Sequence, residues 1–242
     1  YPSYTTSAGW LGYPDEKLRK LCIKAIKAGF THVKFKVGRD LQDDIRRLKI
    51  AREVLGNQVQ LMIDANQVWE VNQAIEWVNK LQFASPFFIE EPTSPDDVIG
   101  HKTIKNGVFP IKVATGEMCQ NRIIFKQFIK EDAIDIIQID SCRMGGLNEV
   151  LAVMIMAEKY KKPVWPHAGG VGLCEYVQHI SMIDYLLISC EKNSKRIEYV
   201  DHLHEHFLHP CKIMNGNYMA PFEPGFSIEM KSSTLNDYLF KS

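Results

Sequence analysis

The sequence predicts an α/β fold, a TIM-type (β/α)8 barrel, and three observations predict it. A length of 242 residues is usual for one such barrel. Short apolar or β-branched runs alternate with helical patterns, and no low-complexity linker interrupts them. The runs FFI (87–89) and DIIQI (135–139) do not alternate, which is typical of parallel strands buried on both faces. A doubly wound open sheet is the alternative, which the lack of a GxGxxG motif after the first strand disfavours.

The elements follow one another in a regular order. The first strand is expected in TSAGWLGY, near the start of the chain, and the second is HVKFKVG. A helix with apolar residues at helical spacing follows and ends at Gly56. The later elements, in chain order, are the strand VQLMID, the helix VNQAIEWVNKLQ, the strands SPFFIEEP and IKVATGE, a helix over 121–130, the strand DIIQIDSC, the helix GLNEVLAVMIMAEKY, the strand KPVWPH, the helix VGLCEYVQHISMIDYLLI and the strand KRIEYV.

The second strand has a strict two-residue period. Val33, Phe35 and Val37 are expected to face the helices, so that Lys34 and Lys36 point into the barrel. A buried lysine is costly unless it is paired. The pattern therefore predicts negative charge at the mouth of the barrel.

The composition excludes several classes of partner. Lysine plus arginine equals aspartate plus glutamate at 29 each, and no basic block occurs, so neither nucleic acid nor a membrane is expected as a partner. The apolar runs are far too short to span a bilayer. The six cysteines are scattered without a CxxC pair, and we interpret them as reduced thiols in a reducing intracellular compartment. The chain starts at Tyr1 without a signal pattern, so any targeting segment is expected to be missing.

Charged residues end successive predicted strands, at intervals of about one βα unit. Such positions converge on the C-terminal rim of a barrel, where the active sites of this fold lie. Asp64, Glu90 and Glu117 come from three consecutive strands, and like charges repel in a half-buried site unless a cation neutralises them. An all-oxygen ligand set favours Mg²⁺ over zinc. We therefore expect these three carboxylates to bind Mg²⁺; the alternative is that each only caps the next helix.

Two further parts of the sequence contain histidines in a polar setting. Asp140 and His167 end adjacent strands, and an aspartate beside an imidazole fixes its tautomer and raises its basicity. The glycine turn after His167 favours a catalytic histidine over a core one. The tract DHLHEHFLHP, with histidines from His202 to His209, has a spacing that does not place them on one helix face. We interpret it as a polar rim segment rather than a metal site.

In order along the chain, these motifs resemble the enolase superfamily in its mandelate racemase-like branch. The matching motifs cover nearly the whole chain, and SAGWLGY, DSCRMGG and HLHEHF are most similar to L-fuconate dehydratases, a group with mitochondrial members. The matches are KxK (Lys34, Lys36), DAN (Asp64, Asn66), EEP (Glu90, Glu91), TGE (Glu117), Asp140 and WPH (His167).

The resemblance implies Mg²⁺-dependent dehydration of an acid sugar, with L-fuconate giving 2-keto-3-deoxy-L-fuconate as the best interpretation. It implies that Lys36 removes the α-proton, with its pKa held down by Lys34, and that His167, backed by Asp140, is the acid. It also implies that Lys34, Asn66 and Glu198 bind the substrate. A racemase, a dehydratase of another sugar acid and a non-catalytic barrel that binds metal, ligand or a protein are the alternatives.

The resemblance also implies a division of the chain. Residues 1–210 are the predicted barrel, and residues 211–242 are a tail that would pack on an N-terminal α+β capping domain. The sequence begins at the first barrel strand, so we expect that cap to be absent from this chain and the chain alone to be a poor catalyst. An NG hairpin is expected in KIMNGNY, and assembly into a homo-oligomer is left open. Tail side chains expected to lose their cover are Met214, Tyr218, Met219, Phe222 and Phe226.

Overall fold

A computed structural model describes residues 1–240, and its main sheet is a curved array of seven parallel strands. The strands are β1 Ser3–Gly9, β2 His32–Lys36, β3 Gln60–Asp64, β4 Pro86–Glu90, β5 Lys112–Thr115, β6 Ile136–Ile137 and β7 Ile197–Tyr199. Their order is β6-β5-β4-β3-β2-β1-β7, so each strand pairs with its neighbour in the chain and β1 pairs with the last strand. This is the strand order of a barrel and not of a doubly wound sheet, and it confirms the predicted fold class.

Helices follow the strands and cover the outside of the barrel. They are α1 Asp15–Lys27, α2 Leu41–Leu55, α3 Val71–Lys80, α4 Val98–Gly107, α5 Arg122–Lys130, α6 Leu147–Lys159, α7 Leu173–Ile183 and the short α8 Ser232–Asp237. The sequence analysis did not assign α1 or α4. Single turns of other helix types cover Gln82–Ala84, Asp184–Ile188 and His204–His206. No helix within residues 1–240 is both long and apolar enough to cross a membrane.

The strand predicted in KPVWPH does not form, and that prediction is wrong. Pro163 and Pro166 have no N–H to donate, so this stretch cannot make a regular ladder. It still closes the ring, because Trp165 N donates to Ile137 O at 2.8 Å and Glu198 N donates to Pro166 O at 3.3 Å. The stretch over residues 163–167, here called the seam segment, therefore joins β6 to β7 through a few backbone hydrogen bonds.

The predicted orientation of β2 is confirmed. Val33, Phe35 and Val37 are buried in the layer between the strands and the helices, and Lys34 is fully buried inside the barrel. The parallel register of β2 and β3 places Lys36 beside Asp64.

The inside of the barrel has an apolar floor beneath a polar rim. Several floor residues lie two positions before a polar rim residue on the same strand, so the two-residue period sets both layers. Thr6, Asp64, Glu90 and Gln138 follow floor residues in this way. The floor consists of Tyr4, Met62, Phe88, Ala114, Ile136 and Trp165.

A buried ion pair on α2 holds the C-terminal ends of two strands. Arg47 and Asp44 are both fully buried, with 3.4 Å between Arg47 Nη1 and Asp44 Oδ1. The Arg47 guanidinium also donates to the carbonyl oxygens of Lys36 at 2.6 Å, Gly9 at 2.8 Å and Trp10 at 3.0 Å. We call Arg47 and Asp44 the strand-end clamp, because they fix the ends of β1 and β2 where the rim begins.

The tail contains the predicted hairpin, formed by β8 Ile213–Met214 and β9 Asn217–Tyr218. Asn215 and Gly216 in its turn have φ values of 49° and 68°, as a type I′ turn requires. The hairpin packs on the start of β1, where Ser3 N donates to Gly216 O at 3.0 Å.

The exposure expected for the tail is confirmed in part. Phe222 is 95% exposed and Met214 is 59% exposed. Tyr218 was expected to be exposed, and that prediction is wrong, since it is buried at 1% exposure. Its ring fills the space between β7 and α7, and its hydroxyl donates to Glu198 O at 2.6 Å.

Candidate functional site

The predicted site residues lie at one end of the barrel, around a cavity of about 500 Å³. Lys36, Glu117, Asp140, His167 and Glu198 line this cavity, each at or just beyond the C-terminal end of a strand or of the seam segment. The remaining charged groups lie below them. The carboxylates and amines are therefore brought together as the strand-end spacing predicted.

Lys34 is the centre of the buried charges. Its Nζ lies 2.5 Å from Glu90, 3.1 Å from Glu198 and 3.2 Å from Asp64, and its side chain has no exposed surface. Burial opposes the ammonium form, but Glu198 and Glu90 raise the pKa of Lys34 well above its ordinary value. Lys34 is thus a fixed positive charge beneath the cavity, and its predicted contact with substrate stays a prediction.

Lys36 reaches the cavity and pairs with a single carboxylate. Its Nζ lies 2.6 Å from Asp64 Oδ2, and its side chain is 15% exposed. Burial lowers the pKa of Lys36, and so does Lys34, but Asp64 outweighs both and the pKa is raised. Lys34 thus lowers the pKa of Lys36 as predicted, but the net shift is upward because the β2–β3 register pairs Lys36 with Asp64.

His167 and Asp140 form the predicted pair. His167 Nδ1 lies 2.8 Å from Asp140 Oδ2, and Nε2 faces Glu117 at 3.4 Å and Glu198 at 3.8 Å. The Cys142 N–H donates to Asp140 Oδ1 at 2.7 Å and orients it. Burial disfavours the imidazolium, but the hydrogen bond to Asp140 and the charges of Glu198 and Glu117 raise the pKa of His167 to about 9. The imidazolium form of His167 is therefore favoured at neutral pH.

The three predicted metal ligands are neighbours but are not gathered on one point. Within the residues that the structure describes, ligand atoms of Asp64, Glu90 and Glu117 do not all lie within 4.8 Å of one another. Asp64 and Glu90 bond instead to Lys34, and Glu117 faces His167. Burial raises the pKa of Glu90 well above its ordinary value, with Asp64 adding to the effect.

The chemistry of the site nevertheless fits a hard divalent cation. Six carboxylates face three basic groups, so the site carries an excess of three negative charges when all are ionised. A further oxygen, Gln138 Oε1, is buried without a hydrogen-bond partner among residues 1–240. The donor set is all oxygen, which suits Mg²⁺. The charged groups are Asp64, Glu90, Glu91, Glu117, Asp140 and Glu198 against Lys34, Lys36 and His167.

Sequence analysis missed two polar residues that hold the carboxylates in place. Gln138 Nε2 donates to Glu90 Oε2 at 2.6 Å, and the Thr6 hydroxyl donates to Glu198. A signal for Gln138 existed, because it lies two positions before Asp140 and so shares its inward face.

Asn66 and Glu91 lie at the edge of this network. The Asn66 side chain is exposed, and its Nδ2 lies 3.4 Å from Glu91 Oε2, while its backbone N–H donates to Asp64 Oδ1 at 3.0 Å. Burial, with Glu117 next, raises the pKa of Glu91 to about 7. A substrate would therefore compete with Glu91 for the side chain of Asn66, and the predicted contact of Asn66 with substrate stays a prediction.

Comparison with known proteins places this geometry in a family. A family model described as "Enolase C-terminal domain-like" matches residues 17–234. The L-galactonate dehydratase of Hypocrea jecorina is 56% identical over 241 residues, which are 98% of this chain and 53% of that protein. The crystal structure of human mitochondrial enolase superfamily member 1 superimposes with a TM-score of 0.95 at 53% identity, over 97% of this chain and 54% of that one. The L-talarate dehydratase of Polaromonas sp., complexed with Mg and L-glucarate, gives 0.84 at 27% identity, over 97% and 63%.

The chain spans about half the length of the curated relatives it matches. The family match covers nearly every element of the barrel and the hairpin of the tail. It confirms the resemblance that the strand-end motifs predicted. This chain belongs to the enolase C-terminal domain-like family.

Proposed function

We propose that the protein containing this chain dehydrates a sugar acid in a Mg²⁺-dependent reaction. The α-proton of the acid is removed, the 3-hydroxyl leaves as water, and a 2-keto-3-deoxy acid results. The observation that carries the proposal is a histidine–aspartate pair and a lysine lining one cavity above buried carboxylates. Two relatives named above are dehydratases of L-galactonate and of L-talarate, and the second holds Mg and a sugar acid.

Asp64, Glu90 and Glu117 would hold the magnesium. Bound there, the ion would act as a Lewis acid on the substrate carboxylate, a contribution worth several kcal/mol to an enediolate-like transition state. Lys34 stays beneath these carboxylates and offsets part of their charge.

Lys36 is the proposed base, and it must first lose its own proton. Asp64 is the main charge that holds the pKa of Lys36 up, and Lys34 is the charge that lowers it. Engagement of Asp64 by the metal would weaken the first effect and leave the second. Lys36 then has access to the neutral form, and its exposed end already reaches the cavity.

His167 is the proposed acid for the departing hydroxyl. Its pKa of about 9 means that the imidazolium dominates at neutral pH, with the proton on Nε2 directed into the cavity. A racemase would need a second base at this position. The relatives named above are dehydratases, which favours dehydration over racemisation.

L-Fuconate and L-galactonate are the proposed substrates to compare first. L-Fuconate is the 6-deoxy analogue of L-galactonate, so the two acids share the configuration at every carbon that reacts. A mitochondrial location belongs to the same proposal and rests on the name of the human relative.

The test is to incubate the complete protein with each acid and Mg²⁺ in D2O, following deuterium at the α-carbon and keto-acid formation. Lys36→Ala should lose both exchange and dehydration, with Lys20→Ala, an exposed lysine, as the control. His167→Asn should chiefly lose dehydration, with the exposed His209→Asn as its control. General acid–base steps typically contribute about 10²–10⁴-fold each, and losses of that size are expected.

Two results would contradict the proposal. Normal dehydration by Lys36→Ala would show that Lys36 is not the base. A wild-type protein that neither exchanges the α-proton nor forms a keto acid with any acid sugar would favour a non-catalytic barrel.

A further inference from the structure

The histidines after β7 do not act as a single tract. His202 and His209 are exposed, and His206 Nδ1 lies 3.2 Å from Thr234 Oγ1 in α8. His204 differs, because its ring turns toward the first turn of α7. The interpretation as a polar rim segment therefore does not describe His204.

His204 meets two potential metal ligands, Glu175 from α7 and Cys211 from seven residues later in the chain. The ligand atoms of Glu175, His204 and Cys211 all lie within 4.8 Å of one another, and no other such trio occurs among residues 1–240. The group lies between α7, the turn after β7 and the segment before the hairpin, outside the catalytic cavity. Glu175 is buried, and the other two are half-buried, so an ion has access from solvent.

The distances are close to those of a tetrahedral zinc site. Cys211 Sγ lies 3.7 Å from His204 Nδ1, and tetrahedral zinc with ordinary bond lengths places sulfur and nitrogen ligands about 3.6 Å apart. Glu175 Oε1 lies 2.6 Å from His204 Nδ1, where zinc requires about 3.4 Å. One carboxylate must move back by less than about an ångström, which a change of side-chain torsion allows.

The surroundings of His204 present the correct nitrogen. Nε2 lies 2.8 Å from Val200 O, so it carries a proton and leaves Nδ1 directed at the group. The ring stacks on Tyr199, with centroids 5.2 Å apart and an angle of 5° between the planes. A backbone carbonyl on the second ring nitrogen and a fixed ring are usual features of metal-bound histidine.

A simple ion pair accounts for only part of this arrangement. The hydrogen bond to Glu175 raises the pKa of His204 to about 9, against the effect of burial, so a proton lies between these two groups. That pair does not need the sulfur of Cys211, which also faces Nδ1. Thiolate, imidazole and carboxylate together match zinc and not Mg²⁺.

We propose that Glu175, His204 and Cys211 bind one zinc ion, with water as the fourth ligand. Binding displaces one proton from His204 Nδ1 and one from the Cys211 thiol, so the two negative ligands balance the Zn²⁺ charge. The ion would tie the turn after β7 and the segment before the hairpin to α7. Because the unfolded chain does not hold these ligands together, zinc should stabilise the folded protein.

Cobalt(II) is the probe, because thiolate-bound cobalt absorbs through sulfur-to-metal charge transfer and oxygen-bound cobalt does not. The reduced, complete protein is titrated with Co²⁺ in excess Mg²⁺, which keeps the carboxylates of the barrel mouth occupied. One equivalent should produce the charge-transfer band. Cys211→Ser should abolish it, whereas Cys190→Ser, at an exposed cysteine, should retain it. Cys174→Ser should also retain it, although the Cys174 thiol hydrogen-bonds with that of Cys211, because Cys174 does not belong to the trio of ligand atoms within 4.8 Å of one another.

Thermal unfolding gives a second measurement that does not depend on the band. Zinc should raise the midpoint of the wild type and of Cys190→Ser but not that of Cys211→Ser. A wild-type protein without the band overturns the proposal, as does a band that Cys211→Ser retains or Cys174→Ser loses. An equal rise of the midpoint in Cys211→Ser would place the ion elsewhere, and the proposal would be wrong.

Discussion

Replacing Arg47 by methionine tests whether the strand-end clamp supports the barrel. Methionine keeps the volume of the arginine stem but removes every donor. The carbonyl oxygens of Gly9, Trp10 and Lys36 then lose the guanidinium, and Asp44 loses its cationic partner.

The cost can be bounded from these contacts. Breaking a buried ion pair typically costs about 3–5 kcal/mol, because one charge stays buried and unpaired. Asp44 can relieve part of this cost by taking up a proton, since burial already raises its pKa to about 6. The orphaned carbonyl groups add to the cost, at about 1–3 kcal/mol for each that finds no water. We therefore expect Arg47→Met to lower the free energy of unfolding at neutral pH by about 4 kcal/mol.

Urea unfolding, followed by circular dichroism, measures this change, with Arg46→Met as the matched control. Arg46 lies one position earlier on α2 and pairs with Asp43 at 2.6 Å, but both side chains are more than 40% exposed. Its loss should cost less than about 1 kcal/mol. Because Arg47 lowers the pKa of Asp44, the carboxyl of the variant should protonate above pH 6, so the deficit of Arg47→Met should be smallest below pH 6, where Asp44 is neutral in both proteins. Equal costs for the two variants would show that the buried pair does not hold the strand ends.

Three further outcomes are expected. Glu90→Gln should weaken Mg²⁺ binding sharply in calorimetry while the exposed Glu223→Gln leaves it unchanged; unaltered binding would exclude Glu90 as a ligand. The folded-state pKa of His204 is raised from 6.5 to about 9, so its pairing with Glu175 stabilises the fold fully below pH 6.5 and is lost as the pH rises through 9. In chelator, the stability gap between wild type and His204→Gln should therefore narrow over that range, and a gap independent of pH would refute the pairing. Tyr218→Phe should cost about 1 kcal/mol by removing the hydrogen bond to Glu198 O, against little change for the exposed Tyr160→Phe; equal midpoints in urea would count against it.

Features that depend on local patterns could be predicted from the sequence. The alternation of HVKFKVG gave the inward direction of Lys34 and Lys36, and the NG turn gave the hairpin. The spacing of strand-end residues brought Asp140 to His167, because equal βα units repeat the same geometry around a barrel.

Features that depend on register or competing contacts could not be predicted. The raised pKa of Lys36 follows from Asp64 on the neighbouring strand, which a pattern within one strand does not contain. The contact of Glu117 with His167 depends on the arrangement of the neighbouring charges in space, which the spacing of residues along the chain does not specify. In the sequence, Tyr218 is one of several apolar residues of the tail. Only the path of the hairpin shows that its ring packs between β7 and α7.

The seam segment gives the barrel an uneven stiffness. Five consecutive residue pairs join β2 to β3 and two join β5 to β6, whereas the seam segment makes one bridge, at Val164, and three backbone hydrogen bonds to Ile137 and Ile139. Regions with few backbone hydrogen bonds open first in native proteins, so amide exchange should begin here and reach β2 and β3 last. Lys36 thus stands on a strand with a long regular ladder, and His167 stands at the end of a segment with a short one. A ligand that contacts both Lys36 and His167 would connect the two sides of the barrel mouth. We expect the side that carries His167 to move more than the side that carries Lys36 when such a ligand binds.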